Sequence, residues 1–435
     1  MTYPEAIQFL YGLRLFGAKF GLENTFKLAA LADDPQKKLH FIHVAGTNGK
    51  GSTCAMLESI YRAAGLRVGL FTSPHLVSFR ERIQVNRQLI SEDDVVRLLS
   101  EFQPFLKEFS EGHHPTFFEV VTVMALKYFA EQKCEMVIWE TGLGGRLDAT
   151  NIVTPLASII TNIALDHQQW LGDTLAKIAS EKAGIIKPGV PVLTAVDEPE
   201  ALDVIEKIAR EKGAPLTLVD SGWIASPPTP ALSGEHQKRN AALAMATVEM
   251  INGVTEKQIQ EGLDQVQWPG RLQLVERSDG QKFLLDGAHN TAAATVLRET
   301  IEKDFSDDER TLVLGIFEDK DWQRICEILA PLAKTIYTVP VSSERTADPE
   351  RLAGVCRSAN PSAQIIVCKL LSEALGPGVR GEKIDHLTII TGSLYLIGEA
   401  LELLGLSSCV KSERELNEWT TVASSIDHGK LPLTR

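Results

Sequence analysis

From residue 40 onward, short apolar runs alternate with longer stretches in which apolar residues recur every three to four positions. The short runs are rich in β-branched residues and predict buried strands. They lie at 40–46, 66–74, 134–142, 155–163 and 190–196. The longer stretches predict helices at Ser52–Ala64, Val95–Phe109, Phe118–Glu131, Thr174–Ala183 and Pro199–Lys212. This alternation predicts a mostly parallel sheet covered by helices.

The alternating pattern is interrupted and then restarts. Helices are predicted at His236–Ile251 and Glu256–Gln265, and Pro269 and Gly270 then break the helical pattern. Further strands are predicted at 282–290, 309–317, 333–341 and 386–393. The sequence therefore predicts two α/β domains, at 1–267 and 274–435, joined by a hinge linker at 268–273.

Composition narrows the class of protein. The 435 residues carry a formal net charge of −13, from 57 acidic and 44 basic side chains, which argues against general affinity for nucleic acid or anionic membranes. The first residues do not resemble a signal peptide, and no run of about 18 apolar residues predicts a membrane span. The six cysteines are scattered, at Cys54, Cys134, Cys326, Cys356, Cys368 and Cys409. We expect reduced thiols in a cytoplasmic, monomeric protein.

The strongest local motif is a glycine-rich turn between a predicted strand and a predicted helix. Glycine lets backbone N–H groups approach a phosphate, the helix N-terminus adds a favourable dipole, and Lys50 adds a charge. The motif departs from the strict Walker A string at Val44 and Gly51, and a purely structural turn is the alternative. The candidate phosphate-binding residues are Gly46, Thr47, Asn48, Gly49, Lys50, Gly51, Ser52 and Thr53.

Three further loops follow predicted strands, where ligands bind in open α/β sheets. Glu140, at the end of an apolar strand, and the hydroxyl of Ser73 are candidate Mg²⁺ ligands, whereas imidazole makes His167 a weaker candidate. A helix cap or surface ion pair is an equal alternative for Glu140. Judged from its neighbours alone, Lys182 is a solvated lysine near a helix end.

Six motifs together resemble the folylpolyglutamate synthase/dihydrofolate synthase family of the Mur ligase superfamily. They occur in the family's order and span both predicted domains, as VAGTNGKGST (44–53), TSPHLVSFRERIQVN (72–86), WETGLGGRLDATN (139–151), LDHQQWLGDTLAKIASEKAGIIKPG (165–189), WPGRLQ (268–273) and DGAHN (286–290). The resemblance implies a P-loop-type N-terminal domain, a Rossmann-like C-terminal domain, and ATP-dependent ligation of L-glutamate to a folate or dihydropteroate between them.

The resemblance also implies roles for individual residues. ATP would bind the phosphate loop and four more distant side chains, Asn240, Arg271, Asp286 and His289. Ser73 and Glu140 would hold one Mg²⁺, and Glu140 with His167 a second. Lys182 would be carbamylated and, with Lys50 and His167, catalytic. For Asp286 a turn-forming role, and for Arg271 an ordinary exposed linker cation, are the structural alternatives.

The resemblance extends to a pterin side of the site. Residues aligned with segments that cradle the pterin are Thr116, Phe117, Phe118, Glu119, Leu147, Asp148 and Ala149. Their presence favours a bifunctional enzyme, although an aromatic pair before a helix is also common in a protein core. A monofunctional folylpolyglutamate synthase is the nearest alternative.

Two other classes of protein are less compatible with the sequence. A Mur-type ligase of peptidoglycan precursors would have a separate domain for the UDP-sugar, and only about 40 residues precede the phosphate loop here. A nucleotide-dependent switch would need neither the second domain's DGAHN motif nor Lys182.

Overall fold

The computed structural model describes residues 1–14, 21–110, 113–220, 222–223, 229–277, 280–305, 309–375, 386–407 and 413–417. Five cysteines in these ranges are free and buried, and Cys409 lies outside them. Within the same ranges, none of the helices is long and apolar enough to cross a membrane.

The first half of the chain forms an eight-stranded sheet in the order β4-β3-β2-β5-β1-β6-β7-β8. The sheet is parallel except at one edge, where β3 and β4 run antiparallel. Its strands are β1 (Phe41–Ala45), β2 (Val68–Phe71), β3 (Ile83–Val85), β4 (Gln88–Leu89), β5 (Met136–Glu140), β6 (Ala157–Ile160), β7 (Val192–Thr194) and β8 (Leu216–Leu218). The accompanying helices are α1 (Tyr3–Leu13), α2 (Glu23–Leu31), α3 (Lys50–Ala63), α4 (Glu92–Leu106), α5 (Phe117–Glu131), α6 (Gln168–Leu171), α7 (Leu175–Ala183), α8 (Pro199–Glu211), α9 (Glu235–Ile251) and α10 (Glu256–Gln265).

The second half forms a six-stranded sheet in the order β13-β12-β11-β14-β10-β9, in which only the edge strand β9 is antiparallel. Its strands are β9 (Gln273–Glu276), β10 (Lys282–Asp286), β11 (Glu309–Leu314), β12 (Thr335–Thr338), β13 (Gln364–Val367) and β14 (His386–Thr391). Its helices are α11 (Thr291–Asp304), α12 (Trp322–Leu329), α13 (Pro349–Ala359), α14 (Leu371–Ala374) and α15 (Leu394–Leu403). Short 3₁₀ turns occupy Pro35–Lys38, Phe79–Arg82, Ala149–Ile152, Ala330–Leu332 and Arg414–Asn417.

The predicted α/β class is confirmed, with differences at the margins of the sheets. The sequence analysis missed α1, α2, the hairpin β3–β4 and the edge strands β8 and β13. These strands are short, and the residues of β8 and β13 are largely half-exposed, so their apolar pattern is weak. Helix α4 begins at Glu92 rather than Val95, because the Ser91 side chain accepts a hydrogen bond from the backbone N–H of Asp94.

The central strands are buried on both faces, as their continuous apolar sequences require. Along β1, Phe41 packs into a core cluster with α4 and α5, whereas Ile42 and Val44 pack into a second cluster with α3, α9 and α10. Two helical layers therefore hold β1, and with it the glycine-rich turn that follows.

Helix α10 lies close against α3, which carries the phosphate loop at its N-terminus. A Cβ built on Gly262 of α10 would lie 2.4 Å from the Cα of Ile60 in α3. By contrast, a Cβ on Gly354, an exposed position in α13, would meet no atom within 4 Å. The two glycines thus sit in opposite packing environments.

We therefore expect Gly262→Ala to lower the free energy of unfolding by about 1–3 kcal/mol, because the backbone of α3 has to move. The matched control Gly354→Ala removes backbone freedom from the unfolded chain without a clash, and we expect a gain of about 0.4–1 kcal/mol. Urea titration followed by circular dichroism measures both. Equal effects of the two substitutions would contradict the close approach of α10 to α3.

Candidate functional site

The loops that follow β1, β2, β5 and β6 meet at the carboxyl edge of the first sheet and open into one cavity of about 870 Å³. The second sheet contributes the opposite wall. Most of the residues predicted to bind substrates line it, namely Thr47, Asn48, Gly49, Lys50, Gly51, Ser52, Ser73, Thr116, Phe117, Phe118, Glu119, Glu140, Leu147, Asp148, Ala149, His167, Lys182, Asn240, Arg271, Asp286 and His289. Gly46 and Thr53 do not line it.

The glycine-rich turn needs glycine for its backbone path. Gly46 has φ +148°, and a Cβ there would lie 1.8 Å from Thr161 Oγ1. Gly49 has φ +84° and caps α3 in the left-handed region. The turn is tied to the loop after β6, because Asn48 N donates to Asn162 Oδ1 at 2.7 Å. Its backbone is therefore shaped before any ligand arrives.

Two lysines converge on one carbonyl of this turn. Lys50 Nζ donates to Gly46 O at 3.1 Å and to Thr47 O at 3.1 Å, and Lys182 Nζ donates to Gly46 O at 2.7 Å. Lys182 is only 4% exposed, and burial, with the nearby charge of Lys50, lowers the pKa of its ammonium to about 7. The view of Lys182 as a solvated lysine, drawn from its neighbours alone, is therefore wrong.

Glu140 ends β5 inside the cavity. Its carboxylate accepts a hydrogen bond from Ser73 N at 3.1 Å, which brings the two candidate metal ligands together. Burial raises the pKa of Glu140 to about 7, and the positive charges of Lys50, Arg271 and Arg82 offset only part of this effect. A carboxylate and a serine hydroxyl are oxygen ligands of the kind that suits Mg²⁺, which retains waters and shares substrate phosphates. No cluster of three acidic, histidine or cysteine side chains able to hold a metal occurs in the described ranges.

His167 begins the short helix α6 in a left-handed conformation, with φ +50°. Burial lowers the pKa of its imidazole to about 3, so the ring is neutral near pH 7. Within the described residues no hydrogen bond or ion pair joins His167 to Glu140, although both line the cavity. The joint Mg²⁺ site assigned to them stays a prediction.

Asp166, which the sequence analysis did not assign, links the two sheets. Its carboxylate accepts from Lys320 Nζ at 2.5 Å and from Asn290 Nδ2 at 3.2 Å, and lies 3.5 Å from His289 Nε2. Favourable contacts with His289 and Lys320 hold the pKa of Asp166 well below its usual value although burial opposes this. Asn290 Nδ2 also donates to Asn48 Oδ1 at 3.0 Å. The cleft is therefore bridged directly at the phosphate loop.

Two of the residues assigned to the nucleotide, Asn240 and Arg271, contact other residues of the protein. Asn240 Nδ2 donates to Gln237 Oε1 at 2.9 Å, and Gln237 in turn donates to Ser52 Oγ at 3.3 Å. The guanidinium of Arg271 lies over Gly287, where an added Cβ would come within 2.5 Å of it. Asn240 thus reaches the cavity from helix α9, and Arg271 reaches it from the linker before β9.

Asp286 is engaged with its own domain. Its Oδ2 accepts from Leu272 N and its Oδ1 from Ala288 N, both at 2.9 Å. Leu272 has φ +44°, a left-handed conformation that this hydrogen bond helps to hold. These contacts correspond to the turn-forming alternative and anchor the linker to β10.

The residues predicted to bind the pterin line the cavity together, and several of them also stabilise the local structure. Thr116 and Glu119 make a capping box at the start of α5. The ring of Phe118 lies 6.0 Å from that of Phe71 and covers Gly142. Asp148 accepts from Leu143 N at 2.7 Å and from Thr150 N at 3.0 Å, which holds its loop closed. Their assignment to the pterin stays a prediction.

The sequence analysis also missed several cavity residues. Arg82 lay within a motif used for the resemblance, and Asp166 stood beside His167, so both carried a local signal. Lys320 and Asn417 had none, because only the tertiary fold brings them to the cavity. His236 lines the cavity with a buried Nδ1 that has no hydrogen-bond partner in the described part of the chain.

Comparisons with known proteins match both halves of the chain. Residues 44–221 match the Mur ligase middle domain, and residues 270–394 match the glutamate ligase domain of Mur ligases. A dihydrofolate synthase/folylpolyglutamate synthase of Bacillus subtilis (strain 168) is 35% identical over 433 residues, covering 92% of this chain and 98% of its own. A folylpolyglutamate synthase of Lacticaseibacillus casei is 30% identical, covering 93% and 99%. The solved E. coli FolC in complex with DHPP and ADP superposes with a TM-score of 0.82 at 30% identity, covering 93% and 98%.

The environment of Glu140 leads to a prediction for Glu140→Gln. Because its folded pKa is raised to about 7, Glu140 favours folding most at low pH, and that contribution is lost as the pH rises through 7. At pH 8 the neutral, isosteric Gln should therefore leave the metal-free thermal unfolding temperature equal or higher. Loss of the carboxylate should weaken binding of a Mg²⁺–nucleotide analogue complex at least about tenfold. Calorimetric titration with and without Mg²⁺ measures this, and unchanged Mg²⁺-dependent binding would contradict the assignment.

Proposed function

This chain belongs to the dihydrofolate synthase/folylpolyglutamate synthase family of Mur-type ligases, and we propose that it joins L-glutamate to dihydropteroate and to folates in an ATP-dependent reaction. The observation that carries the proposal is the single cavity that the phosphate loop, Glu140 and the Phe117–Phe118 wall share. Its volume of about 870 Å³ is at the upper end of common ligand pockets and suits two substrates side by side.

Amide formation requires a leaving group better than hydroxide. A carboxylate oxygen of the pteroate-linked acid attacks the γ-phosphorus of ATP, ADP leaves, and an acyl phosphate forms. The amine of glutamate then attacks the acyl carbon, phosphate departs, and the amine loses a proton. In the first step two anions approach each other, so catalysis depends on positioning and charge neutralisation.

The phosphate loop supplies much of that neutralisation. Backbone N–H groups at the N-terminus of α3 face the cavity, where the helix dipole favours an anion. In the described chain, Lys50 makes no ion pair with an acidic side chain, and its hydrogen bonds go to the carbonyls of Gly46 and Thr47. Its charge is thus available to the phosphates of ATP. We assign the binding of these phosphates to the loop from Gly46 through Thr53.

The proposed need for Mg²⁺ follows from the side chains that could coordinate it. Ser73 and Glu140 would hold one Mg²⁺, and Glu140 with His167 would hold a second. When bound, these ions neutralise charge that develops on the transferring phosphoryl group. The buried carboxylate of Glu140, which accepts a hydrogen bond from Ser73 N, supports the first of these two sites.

Lys182 is suited to become a carbamate. A pKa near 7 leaves part of the amine neutral at physiological pH, and a neutral amine adds to CO₂ with release of one proton. The product would place a negative charge beside Lys50, where two cationic groups otherwise share one carbonyl. We therefore assign Lys182, Lys50 and His167 as the catalytic group around the acceptor carboxylate.

The second domain would complete the nucleotide site. Asn240 is assigned to the adenine side, and Arg271, Asp286 and His289 to nucleotide contacts from across the cleft. For Asp286 the assignment competes with its two backbone hydrogen bonds. We propose that the protein is cytoplasmic and monomeric. Equilibrium sedimentation can check the monomeric state.

The test of the function is glutamate ligation with dihydropteroate and tetrahydrofolate as parallel acceptors. We expect release of phosphate that depends on ATP, glutamate and acceptor together, and products heavier by one glutamate residue by mass spectrometry. Turnover with both acceptors supports a bifunctional enzyme, and turnover with tetrahydrofolate alone supports the monofunctional alternative. ATP hydrolysis that needs neither glutamate nor acceptor would contradict ligation.

For Lys182→Ala we expect loss of most activity with the fold retained, because the buried amine and any carbamate on it are removed. A short carboxylic acid such as acetate should restore part of the turnover by occupying the vacated space. The matched control is Lys177→Ala, a substitution of a largely exposed lysine on the same helix. Near-normal turnover of Lys182→Ala, measured by phosphate release, would contradict the assigned role.

A further inference from the structure

Arg82 is a cation of the cavity wall that the mechanism above does not use. It closes the 3₁₀ turn Phe79–Arg82, it lines the cavity, and it is only 3% exposed. Its Cζ lies 5.4 Å from the ring centroid of Phe117, so the guanidinium stacks on the predicted pterin wall.

Two neighbours fix the direction of this guanidinium. Arg82 Nε donates to His75 Nδ1 at 2.9 Å, and one Nη group donates to Asn417 Oδ1. His75 Nε2 lies 3.0 Å from the carbonyl oxygen of Glu413. A carbonyl only accepts, so Nε2 carries the proton and Nδ1 is left as the acceptor that Arg82 requires.

The segment Glu413–Asn417, here called the strap, returns from the second domain to hold this arrangement. Asn417 Nδ2 donates to His75 O at 2.9 Å, and Leu416 is 1% exposed within the core of the first domain. Arg414 forms an ion pair with Glu402 of α15. The strap therefore contacts both domains and places Asn417 beside the cavity.

The guanidinium of Arg82 makes no direct ion pair in the described part of the chain, although the carboxylates of Glu140 and Glu81 lie near enough to offset part of its charge. Neighbouring acidic side chains accept hydrogen bonds from the backbone: Glu81 from the N–H groups of residues 76, 77 and 78, Glu413 from Phe79 N at 2.6 Å, and Glu140 from Ser73 N at 3.1 Å. Among the described residues no carboxylate lies within 4.0 Å of the guanidinium, and its second Nη group makes no hydrogen bond. A charge this deeply buried is normally paired.

We propose that Arg82 binds a carboxylate of a substrate and that Asn417 of the strap positions the guanidinium for this contact. A guanidinium is well matched to a carboxylate because it offers N–H groups in a fixed plane. This inference rests on the proposed function, whose substrates supply carboxylates from two sources, the pteroate-linked acid and the incoming glutamate. Arg82 is then a binding residue and Asn417 a positioning residue.

The first test separates substrate binding from turnover. Arg82→Lys keeps the charge but loses the planar donors, and Asn417→Ala removes the acceptor that orients Arg82. In both variants we expect the KM for one carboxylate substrate to rise about tenfold or more. The KM for ATP should stay unchanged, and kcat should change less than that KM. The matched control is Glu415→Gln, an exposed position of the strap, which should behave like the wild type.

A second measurement identifies which carboxylate is bound. Pteroate and its neutral methyl ester are titrated by calorimetry without ATP or glutamate. If Arg82 holds the acceptor acid, the wild type prefers the acid and both variants lose that preference. If Arg82 holds glutamate, the acid–ester preference persists and the KM for glutamate rises instead.

Folded variants with neither change would overturn the inference, and circular dichroism with thermal unfolding verifies that they are folded. Should Arg82→Lys fail to fold, Asn417→Ala alone decides, since it leaves Arg82 in place. Failure of the wild type to ligate glutamate would refute the proposed function instead, and the acid–ester comparison would still test Arg82.

Discussion

The carbonyl oxygen of Gly46 receives hydrogen bonds from two lysines, and the arrangement of the site depends on this meeting point. Lys50 reaches it from the first turn of α3, and Lys182 reaches it from α7, on the far side of the loop after β5. Two ammonium groups can share one buried carbonyl only if negative charge is supplied nearby or one of them loses its proton. The pKa of about 7 for Lys182 expresses that constraint. A nucleotide's phosphates and a carbamate on Lys182 would each relieve it.

Other buried charges in the cavity are also held in place without a direct partner of opposite charge. Glu140 is a buried carboxylate whose only hydrogen bond in the described structure comes from Ser73 N, and Arg82 is a buried guanidinium that donates to His75 and Asn417 rather than to a carboxylate. Asp166 is the contrasting case, since Lys320 and Asn290 satisfy it across the cleft. Asp166 is thus paired within the protein, whereas Glu140 and Arg82, which we assign to a cation and to a substrate, make no direct ion pair among the described residues.

Both domains contribute to this balance. The linker is anchored to β10 by Asp286, and the strap carries Asn417 back to the first domain, so the second domain helps to orient Arg82 as well as to cover the nucleotide. A change in the relative position of the two sheets would therefore act on the phosphate loop through Asn290 and on the pterin wall through Arg82. The cavity is a property of the assembled pair of domains.

The two α/β halves, the glycine-rich turn and most of the cavity-lining residues could be predicted from the amino-acid sequence. These are local properties: apolar periodicity specifies buried strands, and the conformational freedom of Gly46 and Gly49 specifies the turn. The tertiary structure alone decided the state of Lys182, whose neighbours along the chain indicate an exposed helix end, because burial and charge proximity come from β1 and α3. It also decided the roles of Lys320 and Asn417. Each of these acts on residues distant along the chain, and a local pattern carries no information about such contacts.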